Sequence, residues 1–207
     1  MENIIEQFKG IPTTSISDSM NGLNNLDPSI KPIKDEYSFA GRALTVKIPV
    51  GDNLAVLKAI RESKPNDVII VDAKGDTYRA AAGDFVIGMA KTLGAGAFVV
   101  DGAIRDINGI RDLDFPVFCK GTTVAAGGKA GMGEINIPIS CGGVTVKPGD
   151  IIVGDIDGVV VIPQEQEEEI LANSLDRVEK DKAREEQISG NKEEIIKYLD
   201  QMIHSAK

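Results

Sequence analysis

The sequence predicts an α/β body with mixed strand pairing, followed by a C-terminal helical extension. Three observations carry that prediction. Short runs of β-branched residues recur through the middle of the chain, and several are apolar at every position, as strands covered on both faces are. Amphipathic helical patterns separate the first of these runs, whereas turns alone separate the later ones. After Pro163 a glycine-rich text gives way to a charged one that opens Gln164-Glu165-Gln166-Glu167-Glu168-Glu169. The body is therefore assigned to residues 1–163 and the extension to residues 164–207.

The elements follow in order. Residues 43–48 read as a strand, and Leu54, Leu57, Lys58, Ile60 and Arg61 mark an amphipathic helix after it. Residues 68–71 form a second strand. Residues 84–93 form a second helix, with Gly94 as its C-terminal stop. Strands at 97–100, 117–119, 144–146, 151–153 and 159–162 complete the body. Lys147-Pro148-Gly149-Asp150 reads as a turn. Asp157-Gly158 reads as the centre of a hairpin, in a type I′ turn that needs positive φ at both positions. In the extension, Ile170, Leu171, Leu175 and Val178 stripe one helix, Ser189-Gly190-Asn191 breaks it, and Ile195, Ile196, Leu199 and Ile203 stripe another. These helices suit a solvated face or a surface that packs on a neighbouring subunit.

Composition narrows the chemistry. Among 207 residues there is one His, two Cys and no Trp, but 22 Gly. One chain with so few thiols and imidazoles builds neither a structural zinc site nor a disulfide framework. A net charge of -9 argues against nucleic-acid binding by phosphate neutralisation. No apolar run approaches the roughly 18 residues of a membrane helix, and the start carries no basic leader. A cytoplasmic protein with reduced Cys119 and Cys141 is the expectation, with both thiols as buried structural groups.

Familiar motifs fail on inspection. Gly127-Gly128-Lys129 lacks the first Gly of a phosphate loop, where Thr123 stands, and its final hydroxyl residue, where Ala130 stands. Gly94-Ala95-Gly96 lacks the third Gly of a dinucleotide motif and precedes a strand instead of following one. His204, the lone His, is the fourth residue from the C-terminus and reads as a surface residue on a helix end, not a triad member. Lys47, Lys120 and Lys147 sit at strand ends and could in principle form a Schiff base, although nothing marks any of them as desolvated. Asp18, Glu134, Asp155 and Asp157 read as capping, loop or turn residues.

The informative segment runs from Gly83-Asp84-Phe85-Val86 to Asp101 and Arg105-Asp106. The first part opens a helix, whose free N–H groups suit a carboxylate. The second follows a buried strand, where ligands of α/β proteins gather, and groups Asp101, Arg105 and Asp106 on a Gly-relaxed turn. An Arg beside an Asp can grip an anion and hold a hard cation, or can be a surface ion pair on a turn.

Asp84, twenty residues and then Arg105-Asp106 match the Asp-X20-Arg-Asp signature of the class II pyruvate aldolases of the RraA-like family. The chain resembles that family elsewhere too. Residues 14–20 look like its N-terminal helix and residues 100–106 like its central motif. Asp114-Phe115-Pro116-Val117-Phe118, residues 136–139, residues 142–150 and residues 154–163 continue the likeness.

The resemblance implies an α/β/α swivelling-domain body, similar to a phosphohistidine domain, in a homotrimer or dimer of trimers with sites at subunit interfaces. It implies a divalent-metal-dependent lyase acting on a small 2-oxo acid, a 4-hydroxy-4-methyl-2-oxoglutarate aldolase or oxaloacetate decarboxylase. The alternative is a non-catalytic regulator of an RNA-degrading enzyme. By the resemblance, backbone N–H groups of Gly83, Asp84, Phe85 and Val86 bind the substrate carboxylate and Arg105 its keto oxygen. Asp106 ligates Mg²⁺ or Mn²⁺, and Asp84 positions a water. Phe85-Val86 replaces the Leu-Leu often seen there, and Gly109 stands where some members carry a carboxylate.

Overall fold

The computed structural model describes residues 4–205. The N-terminal part contains α1 (Ile4–Phe8), α2 (Thr13–Ser19), β1 (Lys31–Pro32) and β2 (Phe39–Lys47). Helices and strands then alternate through α3 (Leu54–Glu62), β3 (Val68–Ala80), α4 (Asp84–Thr92), β4 (Ala97–Ile104), α5 (Ile107–Asp112) and β5 (Val117–Thr122). Short strands β6 (Ala125–Ala126), β7 (Glu134–Ile135), β8 (Ile139–Cys141) and β9 (Val144–Val146) precede the hairpin of β10 (Ile151–Asp155) and β11 (Gly158–Ile162). Two helices end the chain, α6 (Glu167–Ile188) and α7 (Lys192–Ser205). No helix of the described residues is long and apolar enough to cross a membrane.

The main sheet is mixed, in the order β1-β5-β4-β3-β2-β10-β11. Strands β2 to β5 run parallel to one another, joined by crossovers through α3, α4 and α5. The β10–β11 hairpin adds antiparallel to β2, and β1 adds antiparallel to β5. The two edges then approach one another. The Leu26 N–H donates to the Val159 carbonyl (2.9 Å) and the Val161 N–H to the Asn24 carbonyl (3.0 Å), so the segment before β1 lies along β11. The result is a nearly closed, barrel-like sheet.

Strand alternation explains why the runs are apolar throughout. Ala43, Val68, Ile70, Ala97, Val99, Phe118, Ile152 and Val161 share one core, the inside of the barrel, where Phe39 and Phe118 meet edge to face at 5.1 Å. Their neighbours Leu44, Ile69, Val71, Phe98, Val100 and Val117 point outward and pack under α3, α4 and α5. On the other side Ile151, Val153, Val160 and Ile162 pack under α1, α2 and α6. Both faces of most strands are therefore dry.

Several details differ from the sequence expectation. β3 has 13 residues and β4 has eight, so both run well past their apolar cores. The extra length is irregular: Lys74 and Gly75 have φ of +58° and +69°, and the β3–β4 register shifts there. Gly102 is part of β4 and not a turn; a Cβ on it would lie 2.8 Å from the Asp76 carbonyl oxygen, so the bulged strand presses on it directly. α1 and α5 are too short to show a period, and neither is visible in the sequence pattern.

The Lys147–Asp150 turn forms as expected, with Asp150 N–H donating to the Lys147 carbonyl at 3.1 Å and Gly149 at φ +87°. The hairpin turn is displaced by one residue. Asp155 pairs with Gly158, so Ile156 and Asp157 are central, and neither has positive φ. The turn is not type I′; Gly158 carries the unusual backbone instead, at φ +150°.

Candidate functional site

The bulged ends of β3 and β4 bring the predicted site residues together. The Ala81 N–H donates to the Ala103 carbonyl (2.9 Å) and the Arg105 N–H to the Ala82 carbonyl (3.0 Å). This pairing sets Gly83, at the start of α4, against Arg105-Asp106, at the start of α5. Gly83 is buried, and the contact requires a glycine. A Cβ there would lie 2.5 Å from Asp106 Oδ2 and 3.3 Å from Arg105 Nε. Arg105 and Asp106 form an ion pair at 3.3 Å, with side chains 42% and 44% exposed. Asp106 holds φ +60°, ψ 44°, a left-handed conformation that Asp tolerates better than most residues.

Asp84 is the first residue of α4, where a carboxylate meets the positive end of the helix dipole. Its Oδ1 accepts from the Phe85 N–H at 2.6 Å. The first helical bond runs from the Ile87 N–H to the Gly83 carbonyl (3.0 Å). Of the N–H groups expected to face an anion, that of Phe85 is therefore already engaged by Asp84. Val86 turns its side chain into the core under α4, whereas the Phe85 ring is 77% exposed.

Asp84 and α5 meet at Gly109. A Cβ on Gly109 would overlap Asp84 Oδ2 and lie 2.9 Å from Asp84 Cβ. The glycine noted in the sequence as a departure is thus what lets the Asp84 carboxylate occupy this space. Asp84 and Gly109 also line an open apolar groove of about 970 Å³ between α3, α4 and α5, with Leu57, Met89 and Leu113.

These residues suit a hard cation through their donor set. Asp84 and Asp106 offer carboxylate oxygens from adjacent helix starts, and two glycines keep side chains out of the space beside them. Among the described residues no group of three His, Cys, Asp or Glu forms a ready cage. Mg²⁺ and Mn²⁺ take one or two carboxylates and fill their remaining positions with water and substrate, so Asp106 and Asp84 are the residues here that could contribute to such a site.

Asp101 does not join this site. It is buried, and its Oδ1 lies 2.7 Å from Lys120 Nζ while its Oδ2 accepts from the Gly142 N–H at 2.9 Å. Strand alternation sends it to the barrel interior, away from Arg105. Lys120 Nζ also lies 3.0 Å from Asp27 Oδ2. Burial opposes the Lys120 charge, but its bonds to Asp101 and Asp27 outweigh this and raise its pKa above the ordinary value. A lysine held so firmly as an ammonium is not a Schiff-base nucleophile. Asp27 lies before β1, Asp101 in β4 and Lys120 in β5, so no local pattern signals this cluster.

The glycine loop and the remaining candidate residues lie outside this site. Asp52 is buried and accepts from the N–H groups of Leu54, Ala130 and Gly131, which hold its pKa down although burial pushes it up. The residues just after Gly127-Gly128-Lys129 thus hold a carboxylate of their own chain. Asp155 takes the N–H and hydroxyl of Thr13 (2.8 and 2.6 Å), tying α2 to β10. Asp18 pairs with Arg177 of α6 at 2.8 Å. His204 is exposed on α7, and Glu134 lies in β7.

Comparison with known proteins agrees with this architecture. Residues 13–161 match the family model of RraA-like proteins, described as Aldolase/RraA. A Halalkalibacterium halodurans protein named "Putative 4-hydroxy-4-methyl-2-oxoglutarate aldolase" is 57% identical over 202 residues, covering 98% of this chain and 96% of that one. The structure of the RNA-processing inhibitor RraA from Thermus aligns with a TM-score of 0.68 at 30% identity, over 73% of this chain and 92% of its own. Streptomyces coelicolor RraAS2, described as an unusual member of the RNase ES inhibitor RraA family, aligns with a TM-score of 0.78 at 26% identity, over 91% of this chain and 99% of its own. The chain belongs to the RraA-like family, and its nearly closed sheet with C-terminal helices is the RraA fold.

Proposed function

We propose that this protein is a divalent-metal-dependent lyase that cleaves a C–C bond of a small 2-oxo acid and releases pyruvate. Its substrates on this reading are 4-hydroxy-4-methyl-2-oxoglutarate, oxaloacetate or both. The observation that carries the reading is the packing of Gly83 against Arg105-Asp106 and of Gly109 against Asp84, which gathers one guanidinium and two carboxylates at two helix starts.

Asp106 would hold Mg²⁺ or Mn²⁺. When bound, the ion supplies Lewis-acid stabilisation of the oxygens of a 2-oxo acid. The chain's residues do the rest. The N–H groups at the start of α4 that Asp84 does not engage bind the substrate carboxylate. The Arg105 guanidinium donates to the keto oxygen, where negative charge develops as the C–C bond breaks and pyruvate enolate leaves. In the aldol case Asp84 positions a water that takes the proton of the C4 hydroxyl. Oxaloacetate needs no such base, because its carboxylate departs as CO₂. The same reading places the protein in a homotrimer or dimer of trimers, and relates its body to the swivelling domains.

The RNA-processing inhibitors among the structural neighbours favour a second reading, a protein-binding regulator. Pyruvate release from each of the two substrates separates them: turnover of either supports the lyase, and turnover of neither supports the regulator.

A further inference from the structure

Three helices, α3, α4 and α5, each follow the carboxyl end of a parallel strand, β2, β3 and β4, the edge at which α/β proteins bind ligands. The candidate site uses the starts of α4 and α5. The start of α3 carries a polar side chain that the fold leaves unused. That side chain is Asn53, directly before α3, where an amide ordinarily caps the helix. Asp52 caps instead, accepting from the Leu54 N–H at 2.9 Å, and Asn53 makes no side-chain cap bond. Asn53 is 9% exposed, and its Oδ1 is buried without a hydrogen-bond partner. A buried acceptor left in that state costs stability unless a ligand or water satisfies it.

The loop after β6 ties Asn53 to the end of β3. The Asn53 N–H donates to the Gly128 carbonyl at 2.9 Å. A Cβ on Gly127 would lie 3.7 Å from Asn53 Cβ and 2.9 Å from the Ala80 carbonyl oxygen, so Asn53 stands beside the strand end that leads through Ala81 and Ala82 to Gly83. Arg79 belongs to the same strand end. Gly51 has φ +76°, and a Cβ on it would lie 2.7 Å from Arg79 Cδ, so the Arg79 stem crosses the turn that leads into Asn53. The acidic residues around it are engaged elsewhere. Asp52 and Asp76 accept from backbone N–H groups, and Asp106 pairs with Arg105. The exposed Arg79 guanidinium therefore has no ion-pair partner among the described residues.

We propose that Asn53 and Arg79 are specificity residues that bind the carboxylate on the departing half of an aldol substrate. The inference rests on the lyase reading above. In 4-hydroxy-4-methyl-2-oxoglutarate the pyruvyl half occupies the start of α4 and Arg105. As the C3–C4 bond breaks, its electron pair stays on C3 as the enolate, the C4 hydroxyl loses its proton, and C4 becomes the carbonyl of the departing half. That half keeps its own carboxylate from start to finish, so an anion site beside the first one holds it throughout. The Arg79 guanidinium supplies the charge and paired donors, and the Asn53 amide nitrogen supplies a further donor. Arg79 has five N–H donors, more than one carboxylate takes, and also satisfies Asn53 Oδ1. A departing half without a carboxylate, such as the acetaldehyde released from 4-hydroxy-2-oxopentanoate, gains nothing from this pair.

Pyruvate release from these two substrates by the full-length protein with Mg²⁺ tests the pair. The wild type should favour 4-hydroxy-4-methyl-2-oxoglutarate in kcat/KM. Asn53→Ala and Arg79→Met should each reduce that preference about ten- to a hundredfold, the worth of a hydrogen bond to a charged group, and mainly through KM. Arg79→Lys, which keeps the charge, should retain part of the preference. Circular dichroism confirms that each variant is folded. An equal fall with both substrates, the mark of a purely structural role, or a preference that neither variant changes, overturns the proposal and leaves the lyase reading standing. Absence of wild-type turnover with either substrate removes the lyase reading and this proposal with it.

Discussion

Gly109 and Asp84 share one space: any side chain on Gly109 would displace the Asp84 carboxylate that opens α4. Gly109→Ala separates site geometry from stability. Alanine favours helix by up to about 1 kcal/mol over glycine, which offsets part of the pressure of its Cβ on Asp84, so the melting temperature should change little. Turnover should fall about a hundredfold, the scale of a 1 Å misplacement. Thermal melts and initial rates on one preparation check both halves; a fully active Gly109→Ala protein contradicts the role given to Asp84.

Arg105 and Asp106 are each more than two-fifths exposed, so their removal should cost catalysis and not the fold. Arg105→Ala should lower turnover about a hundredfold or more. Asp106→Asn should do the same while keeping a residue that tolerates the left-handed backbone. Asp106→Ala should lose activity and, in addition, about 1 kcal/mol of stability to that backbone. Urea unfolding beside pyruvate release distinguishes the three variants.

The Lys120–Asp101 pair predicts a stability effect remote from the site. Lys120→Met leaves a buried carboxylate without its countercharge and should cost about 3 kcal/mol. Because the folded-state pKa of Lys120 is raised, its contribution is complete below the ordinary lysine value of about 10.4 and is lost as pH rises through the folded value. Asp27 behaves in the opposite sense. Ser29, through its N–H and hydroxyl, and then Lys120 hold it at about 2, so its contribution is present above the ordinary carboxylate range and lost as pH falls toward 2. Urea midpoints across pH should show an alkaline decline in the wild type that is weaker in Lys120→Met.

The two thiols should be inert. Burial pushes Cys119 up to about 11, and burial with the nearby Asp101 and Asp72 carboxylates raises Cys141 further. Iodoacetamide at pH 8 should therefore leave the intact mass of the folded protein unchanged and its activity untouched. Rapid labelling of either thiol would contradict the packing of β5 and β8.

What could be read from the sequence follows what is local. The apolar cores of β2 to β5, the α3 and α4 stripes and the Lys147–Asp150 turn each rest on neighbouring residues, and the structure contains them. The spacing of Asp84 to Arg105-Asp106 is legible in the sequence; in the structure Gly83 lies against Arg105-Asp106, and Asp84 lies against Gly109. Asp101 was read with them because it is near in sequence; strand alternation sends it inward to Lys120. The bulge at Lys74-Gly75, the fit of Gly109 to Asp84 and the groove beside Phe85 depend on contacts between distant segments, which no periodicity encodes.

The most direct test of the central claim is pyruvate release from oxaloacetate and from 4-hydroxy-4-methyl-2-oxoglutarate by metal-stripped protein, before and after Mg²⁺ or Mn²⁺ is restored. The expected result is no turnover in EDTA and recovery with either ion, in wild type but not in Asp106→Asn. Turnover that survives EDTA and is abolished by borohydride, or none under any condition, contradicts it.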